Sequence, residues 1–204
     1  LGILGYQDER EVLGQRIHAL IHHSRPDGSP YPESECGMHH AYLSNQAINV
    51  SDEVFWRKDG VAIPIEYWAN PIIVDGVVAG AIATFVDISE RKRAEAQLAL
   101  AAKVFEQSGE GILITDAALN IIMVNQAFTA ITGYSAANAL GQTPRMLASG
   151  RHEPAFYQAM WEAVADEGRW QGEVWNRRKD GSVYPETLSV IKVLDAQGRV
   201  SHYI

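Results

Sequence analysis

Apolar and polar positions along this chain follow two periods, and Asp-Gly pairs interrupt the strand-like runs. Phe55-Trp56 precedes Asp59-Gly60, and Val61-Ala62-Ile63 follows it. That arrangement predicts paired antiparallel strands, because the tight turn needs positive φ and glycine supplies it. Val174-Trp175 and Ser182-Val183-Tyr184 repeat it around Asp180-Gly181. Further turns at Asp75-Gly76 and Asp195-Ala196-Gln197-Gly198 complete two three-stranded meanders, over 48–58, 61–74 and 77–87, and over 170–178, 182–193 and 199–204. Ahead of the second meander, apolar runs at 112–116 and 121–125 predict a first hairpin. Residues 126–132 and 135–140 read as short helices, with Ser135 as an N-cap. A longer helix spans 153–167: Pro154 suits its first position and Gly168 its end, and Phe156, Met160, Trp161 and Val164 share one face. Between the meanders, 89–107 is rich in Ala, Glu, Lys, Arg and Leu and holds neither Gly nor Pro. Arg91, Ala94, Leu98, Ala101 and Phe105 recur there at three- and four-residue spacing. This predicts a continuous linker helix whose narrow seam suits pairing with a second copy or packing on its own domain.

The chain repeats itself. Lys58 and Lys179, Gly60 and Gly181, and Pro64 and Pro185 each stand 121 residues apart. A second echo pairs Gly5-Tyr6 and Leu13-Gly14-Gln15 with Gly133-Tyr134 and Leu140-Gly141-Gln142, at an offset of 127 or 128. A repeat this long is a whole domain, since solenoid units are usually about 20–50 residues. Two strands, short helices, a longer helix and three strands are satisfied by one antiparallel sheet with helices on one face, an α+β arrangement.

Composition narrows the function classes. The 204 residues carry a formal charge of −8, which opposes a nucleic-acid surface. The single cysteine, Cys36, excludes an internal disulfide. The longest apolar run, Val77 to Val86, is interrupted by Gly80 and falls short of the roughly 20 residues that span a bilayer. No signal-peptide pattern opens the sequence. The expectation is a cytoplasmic protein that contacts neither membrane nor nucleic acid.

Residues Val104 to Ile204 resemble the PAS family of sensor domains. The resemblance is carried by Ile114-Thr115-Asp116, Val124-Asn125-Gln126-Ala127-Phe128, Thr132-Gly133-Tyr134, Leu140-Gly141-Gln142 and Asn176-Arg177-Arg178-Lys179-Asp180-Gly181. Gly5 to Arg93 resembles the same family, without the opening hairpin, and ends in Asp87-Ile88-Ser89-Glu90-Arg91, similar to the element that couples the last PAS strand to an outgoing helix. The resemblance implies an α+β fold of two PAS domains, each a five-stranded antiparallel sheet with flanking short helices. Their expected bounds are 1–88 and 108–204, with a linker helix over 89–107. It implies a sensory input module that detects a small ligand or redox state for an output domain outside these residues. A cyclic-di-GMP cyclase or phosphodiesterase is the favoured output, because the stretch from Met146 to His152 through Trp170 to Glu173 looks most like PAS units of such proteins; a histidine kinase comes next. The other reading is a ligand-free dimerisation or spacer module. A homodimer through the linker helix is expected, and the fragment itself carries no catalytic constellation: His152 lacks triad partners and Gly109-Glu110-Gly111 lacks a phosphate-loop context.

Two places are candidates for chemistry. The second unit resembles flavin-binding, redox-sensing PAS domains at Trp170, Gly172, Asn176 and Arg177-Arg178-Lys179, implying FAD or FMN there. An indole can stack on a flavin ring and an amide can satisfy its polar edge, although both residues also make ordinary core. Subtracting 121 sets Asn49 and Phe55 opposite Trp170 and Asn176, so no flavin is expected in the first unit. With no cysteine in the second unit, a light-driven flavin adduct is not expected. Glu66 and Glu186, just after the repeated prolines, are strand residues that face either a pocket or solvent. The first unit gathers His18, His22, His23, Cys36, His39 and His40. Of these, His22, His23, Cys36 and His39 are the candidate metal ligands, and a haem held by one histidine is a further option. The competing reading is a structural loop.

Overall fold

The computed structural model describes all 204 residues, Leu1 to Ile204. They fold as two compact units, Leu1–Gln97 and Leu98–Ile204.

In the first unit, α1 (Ile17–Ile21) and α2 (Gly37–Ser44) precede β1 (Ile48–Trp56), β2 (Ala62–Val74) and β3 (Val77–Asp87). The strands pair antiparallel in the order β1-β2-β3. The sheet therefore has three strands where the family pattern of five was expected, because no hairpin precedes the Gly5-Tyr6 turn in these residues. Period-2 alternation on β2 buries Ile63, Ile65, Tyr67 and Ala69, while Trp68 faces outward. Phe55, Cys36, Met38 and Ala41 close over that face. Each large side chain removed from water there contributes about 1.5–3 kcal/mol. One irregularity matters below. Between Val50 and Glu53 the β1–β2 register shifts, and Asp52 takes φ 71° at this bulge.

The second unit holds β4 (Leu113–Asp116), β5 (Ile121–Val124), α4 (Gln126–Thr132), α5 (Ala136–Ala139), α6 (Pro154–Glu167), β6 (Arg169–Arg177), β7 (Val183–Leu194) and β8 (Val200–Tyr203). Its five strands run in the order β5-β4-β8-β7-β6, so the opening hairpin pairs with the last strand and closes the sheet. Capping sets the helix ends as the sequence predicts. Ser135 accepts from Asn138 N, Pro154 opens α6, and Gly168 ends it at φ 80°. Ile121, Val124, Phe128, Ala139 and Leu147 form the core.

The repeat is a repeat of hydrogen bonds as well as letters. Lys58 N donates to Leu4 O at 3.0 Å, and Lys179 N to Thr132 O at 2.9 Å. Arg57 N and Arg178 N donate to Val61 O and Ser182 O, both at 2.8 Å. Register confirms the 121-residue offset along the hairpins: Phe55 pairs with Ile63 as Asn176 pairs with Tyr184.

The linker, α3 (Ser89–Gln107), has no buried residue. At its start Asp87 accepts from Ser89 N at 2.8 Å, Arg91 lies 3.3 Å from Glu66, and Lys92 lies 2.7 Å from Asp52. Glu66 thus anchors the helix to the first sheet. At its end Phe105 is half-buried in the second unit, where Asn125 holds its carbonyl. Leu98, Leu100 and Val104 stay exposed. No helix is long and apolar enough to cross a membrane.

Candidate functional site

The inner face of β6 presents Trp170, Gly172, Val174 and Asn176 in alternation. Asn176 is buried, and its Nδ2 donates to Glu186 Oε1 at 2.7 Å across to β7. Beside them the Tyr184 hydroxyl is buried without a hydrogen-bond partner, and so is that of Tyr157 on α6. Burial and the neighbouring Glu186 carboxylate push the Tyr184 phenol well above its ordinary range. Trp170 folds back over Gly172, where a Cβ would stand 2.6 Å from the indole. Phe156 meets that indole edge-on at 5.8 Å. The three basic residues named with this site turn elsewhere. Arg177 donates to Ser149 O, Arg178 Nε to Ile131 O at 2.7 Å, and Lys179 Nζ to Asn138 Oδ1 at 2.7 Å. They fasten the Ser149 loop and the helices α4 and α5 rather than a ligand. His152 is structural too: it stacks on Phe156 at 4.1 Å and accepts from Trp175 N at 2.9 Å.

Glu186, open between pocket and solvent on sequence alone, therefore faces inward. It follows the repeated proline by one position, Glu66 by two, so pleating sends them to opposite faces. In the first unit, Ile65 occupies the place of Glu186 and Phe55 that of Asn176, both fully buried in apolar core. The counterpart of Trp170 is Ile48, which corrects the expected Asn49. The bulge adds one residue to β1, so the offset grows to 122 upstream of it: Ile48 pairs with Ala69 as Trp170 pairs with Val190. The first unit lacks the polar pair and the indole on either register.

These residues fit a flavin in chemistry. A buried amide and carboxylate, the orphaned Tyr184 hydroxyl and an indole beside a glycine offer polar and aromatic partners of the kinds such a ring system takes.

The first unit builds a second constellation. The bulge sets Glu53 facing inward, and its Oε2 lies 2.7 Å from His22 Nε2, off the line of a well-formed hydrogen bond. Tyr31 OH donates to Glu53 Oε1 at 3.1 Å. His22 Nδ1 lies 3.3 Å from Cys36 Sγ, and both side chains are 1% exposed. Burial opposes the imidazolium, but contacts with Cys36 and Glu53 overcome it and raise His22 to about 9. Burial likewise opposes the Glu53 carboxylate, and the His22 and Tyr31 contacts outweigh it, holding Glu53 below its ordinary value. Tyr31, Phe55 and Tyr67 surround the His22 ring at 4.8, 5.1 and 5.9 Å. A cleft of about 210 Å³, lined by His22, Arg25, Tyr31 and Glu53 among others, opens beside the cluster.

This geometry revises the ligand candidates. His22 and Cys36 come together as expected; His23 and His39 do not join them. His23 is exposed, stacks on Trp56 and bonds Ser24 at 2.7 Å. His39 points toward Glu33 at 3.8 Å, because Cys36 sits at the N-cap of α2 and the helix carries His39 off in another direction. His18 takes their place: one ligand atom each from His18, His22 and Cys36 lies within 4.8 Å of the others.

An antiparallel sheet flanked by short helices defines a PAS-class module, and both units match that family. The PAS fold family matches residues 100–204 and a PAS domain family matches residues 1–90. The chain belongs to the PAS family. Among its relatives, the nitrogen fixation regulatory protein of Klebsiella oxytoca is 41% identical over 99 residues, 48% of this chain and 20% of that protein. The blue-light-activated histidine kinase of Brucella canis is 31% identical over 84 residues, 41% of this chain and 17% of the kinase. The chain thus spans about a fifth of the length of these relatives. Among solved structures, the PAS domain of a Colwellia psychrerythraea protein aligns with 52% of this chain and 92% of its own, at 26% identity and a TM-score of 0.49.

Proposed function

We propose that the chain is the input module of a signalling protein, and that the inner face of its second unit holds a flavin, FAD or FMN. The carrying observation is the Asn176–Glu186 pair with the orphaned Tyr184 hydroxyl beside it, at positions where the sister unit has Phe55 and Ile65. Buried polar groups cost free energy unless something satisfies them, so a dry structural role favours the first unit's solution over the second's. Asn176 and Glu186 would meet the polar edge of the ring, Trp170 its face or edge. A bound flavin supplies reversible electron uptake, which makes redox state the stimulus. Trp170 and Gly172 then act by shape, and α6 screens the face from water through Phe156 and Tyr157.

The response leaves through helices: the Asp87-to-Arg91 element at one end of α3 and the Asn125–Phe105 link at the other bias two states of similar energy. A homodimer through the seam of α3 would cover Leu98 and Ala101. The output domain lies outside these residues. The names of the relatives speak for a histidine kinase or a nitrogen fixation regulator, whereas the cyclic-di-GMP assignment rests on the resemblance of residues 146–152 and 170–173. The exposed seam also supports the second reading, a ligand-free dimerisation module.

An absorbance spectrum of protein purified without added cofactor separates the two. Oxidised-flavin bands that disappear in Asn176→Leu and Glu186→Leu support the sensor. A colourless protein that stays colourless after incubation with FAD and with FMN, yet sediments as a dimer, supports the spacer.

A further inference from the structure

We propose that His18, His22 and Cys36 of the first unit form a binding site for one zinc-class divalent ion. Two nitrogens and a thiolate are the donor set that borderline-soft ions prefer, and a three-residue set leaves a fourth position open for water or a second ligand.

The hydrogen bonds around the cluster point the same way. His18 Nε2 lies 2.9 Å from the carbonyl oxygen of Tyr31, an acceptor only, so Nε2 carries the proton and Nδ1 keeps the lone pair. That Nδ1 is buried and has no partner. The His22 nitrogens also face two different partners: Nε2 the Glu53 carboxylate at 2.7 Å, and Nδ1 Cys36 Sγ at 3.3 Å. Metal-ligating histidines characteristically present one nitrogen to the ion and the other to a carboxylate or carbonyl. Both outer partners are here, and Tyr31 supplies both the carbonyl to His18 and the hydroxyl that orients Glu53. Packing alone accounts for His22 in its aromatic surround. It does not account for a buried, unpartnered His18 Nδ1.

Distances agree with this reading. Tetrahedral zinc places its ligand atoms about 3.3–3.8 Å apart. The His22–Cys36 pair already meets that spacing, and the full set lies within 4.8 Å. His18 is half-buried on the short helix α1, and closing the set needs it to move inward by roughly 1 Å. On binding, the Cys36 thiol proton and the His22 Nδ1 proton leave to solvent, so the sulfur coordinates as thiolate and both imidazoles as neutral rings.

The test is cobalt titration of the 204-residue chain, stripped of metal and kept under a non-chelating reductant. The proposal expects a thiolate-to-cobalt charge-transfer band that saturates at one equivalent and is displaced by zinc. Cys36→Ser, isosteric and suited to a buried site, should abolish the band. Glu53→Gln, which leaves all three ligands, should weaken binding about 10–100-fold. His18→Ala should weaken it further, and His39→Ala and His40→Ala should leave it unchanged. No saturable band, or one of equal affinity in Cys36→Ser and His18→Ala, overturns the site. Loss in His39→Ala reassigns binding to surface histidines and overturns it equally.

Discussion

Asn125 Nδ2 donates to the carbonyl oxygen of Phe105 at 3.0 Å, joining the last turn of the linker helix to the core of the second unit across 20 residues. The same amide donates to Glu110 O at 2.9 Å, while Oδ1 accepts from Ile112 N and Phe128 N, both at 2.9 Å. Asn125 is 1% exposed, so every donor and acceptor it offers is used inside the protein. It caps α4 and fixes where α3 enters the fold.

Asn125→Ala should therefore destabilise the second unit by about 2–4 kcal/mol, the cap and two stranded carbonyls together. Asn125→Asp should not restore it, because a carboxylate cannot donate to Phe105 and Glu110. Urea unfolding gives the loss, and hydrogen exchange should show the end of α3 exchanging faster. Full stability in Asn125→Asp would show that the two donated bonds are not what holds the helix.

Gly5 and Gly133 occupy the same turn in the two units, at φ 77° and 75°, each followed by Tyr; a Cβ there would meet Lys58 and Lys179 Cβ at 3.8 and 3.5 Å, ordinary van der Waals contact. An alanine at either position faces left-handed backbone strain. Gly5→Ala and Gly133→Ala should each lower stability by about 1–2 kcal/mol. Calorimetry of the single variants should show comparable shifts in the transition of the unit concerned. A neutral Gly133→Ala would mean that the turn relaxes.

The strands, helices and caps of the second unit were legible because each carries a local signal: Asp-Gly turns, Ser135, Pro154 and Gly168 all stand where the structure uses them. Trp170, Gly172 and Asn176 were legible as one face by alternation. Glu186 was within reach, since its single-residue spacing from Pro185 fixes its face. The bulge at Asp52 was not. An extra residue in a strand leaves no pattern in composition, yet it shifts the counterpart of Trp170 to Ile48 and sets Glu53 facing His22. The ligand set failed for a related reason. His39 and Cys36 are close in sequence, but the start of α2 separates their directions, whereas His18 and Cys36 are joined only by folding.

Gly172 and Trp170 test the shape of the candidate flavin face. A Cβ at Gly172 would stand 2.6 Å from the indole, and the ring is the movable partner because it is only half-buried. Gly172→Ala should cost about 1 kcal/mol, shift the tryptophan emission, and cost nothing further once Trp170 is alanine. A double-mutant cycle measures that coupling. Additive losses would place the strain in the backbone of β6 instead.

Tyr184 carries a pH dependence whose sign follows from its surroundings. Burial first, and the Glu186 charge next, hold its folded pKa above the unfolded value of about 10. A phenol whose pKa is raised on folding stabilises the native state fully below the unfolded pKa. That contribution falls as pH climbs past about 10, where the unfolded chain ionises and the folded one does not. Unfolding free energy of the second unit should therefore decline from about pH 10 upward. Tyr184→Phe removes a hydroxyl that has no partner, so it should leave neutral-pH stability within about 1 kcal/mol of the parent and flatten the alkaline decline. Denaturant midpoints at a series of alkaline pH values decide it. An undiminished decline in Tyr184→Phe would move the effect to other phenols, and a large neutral-pH loss would show that the hydroxyl has a partner after all.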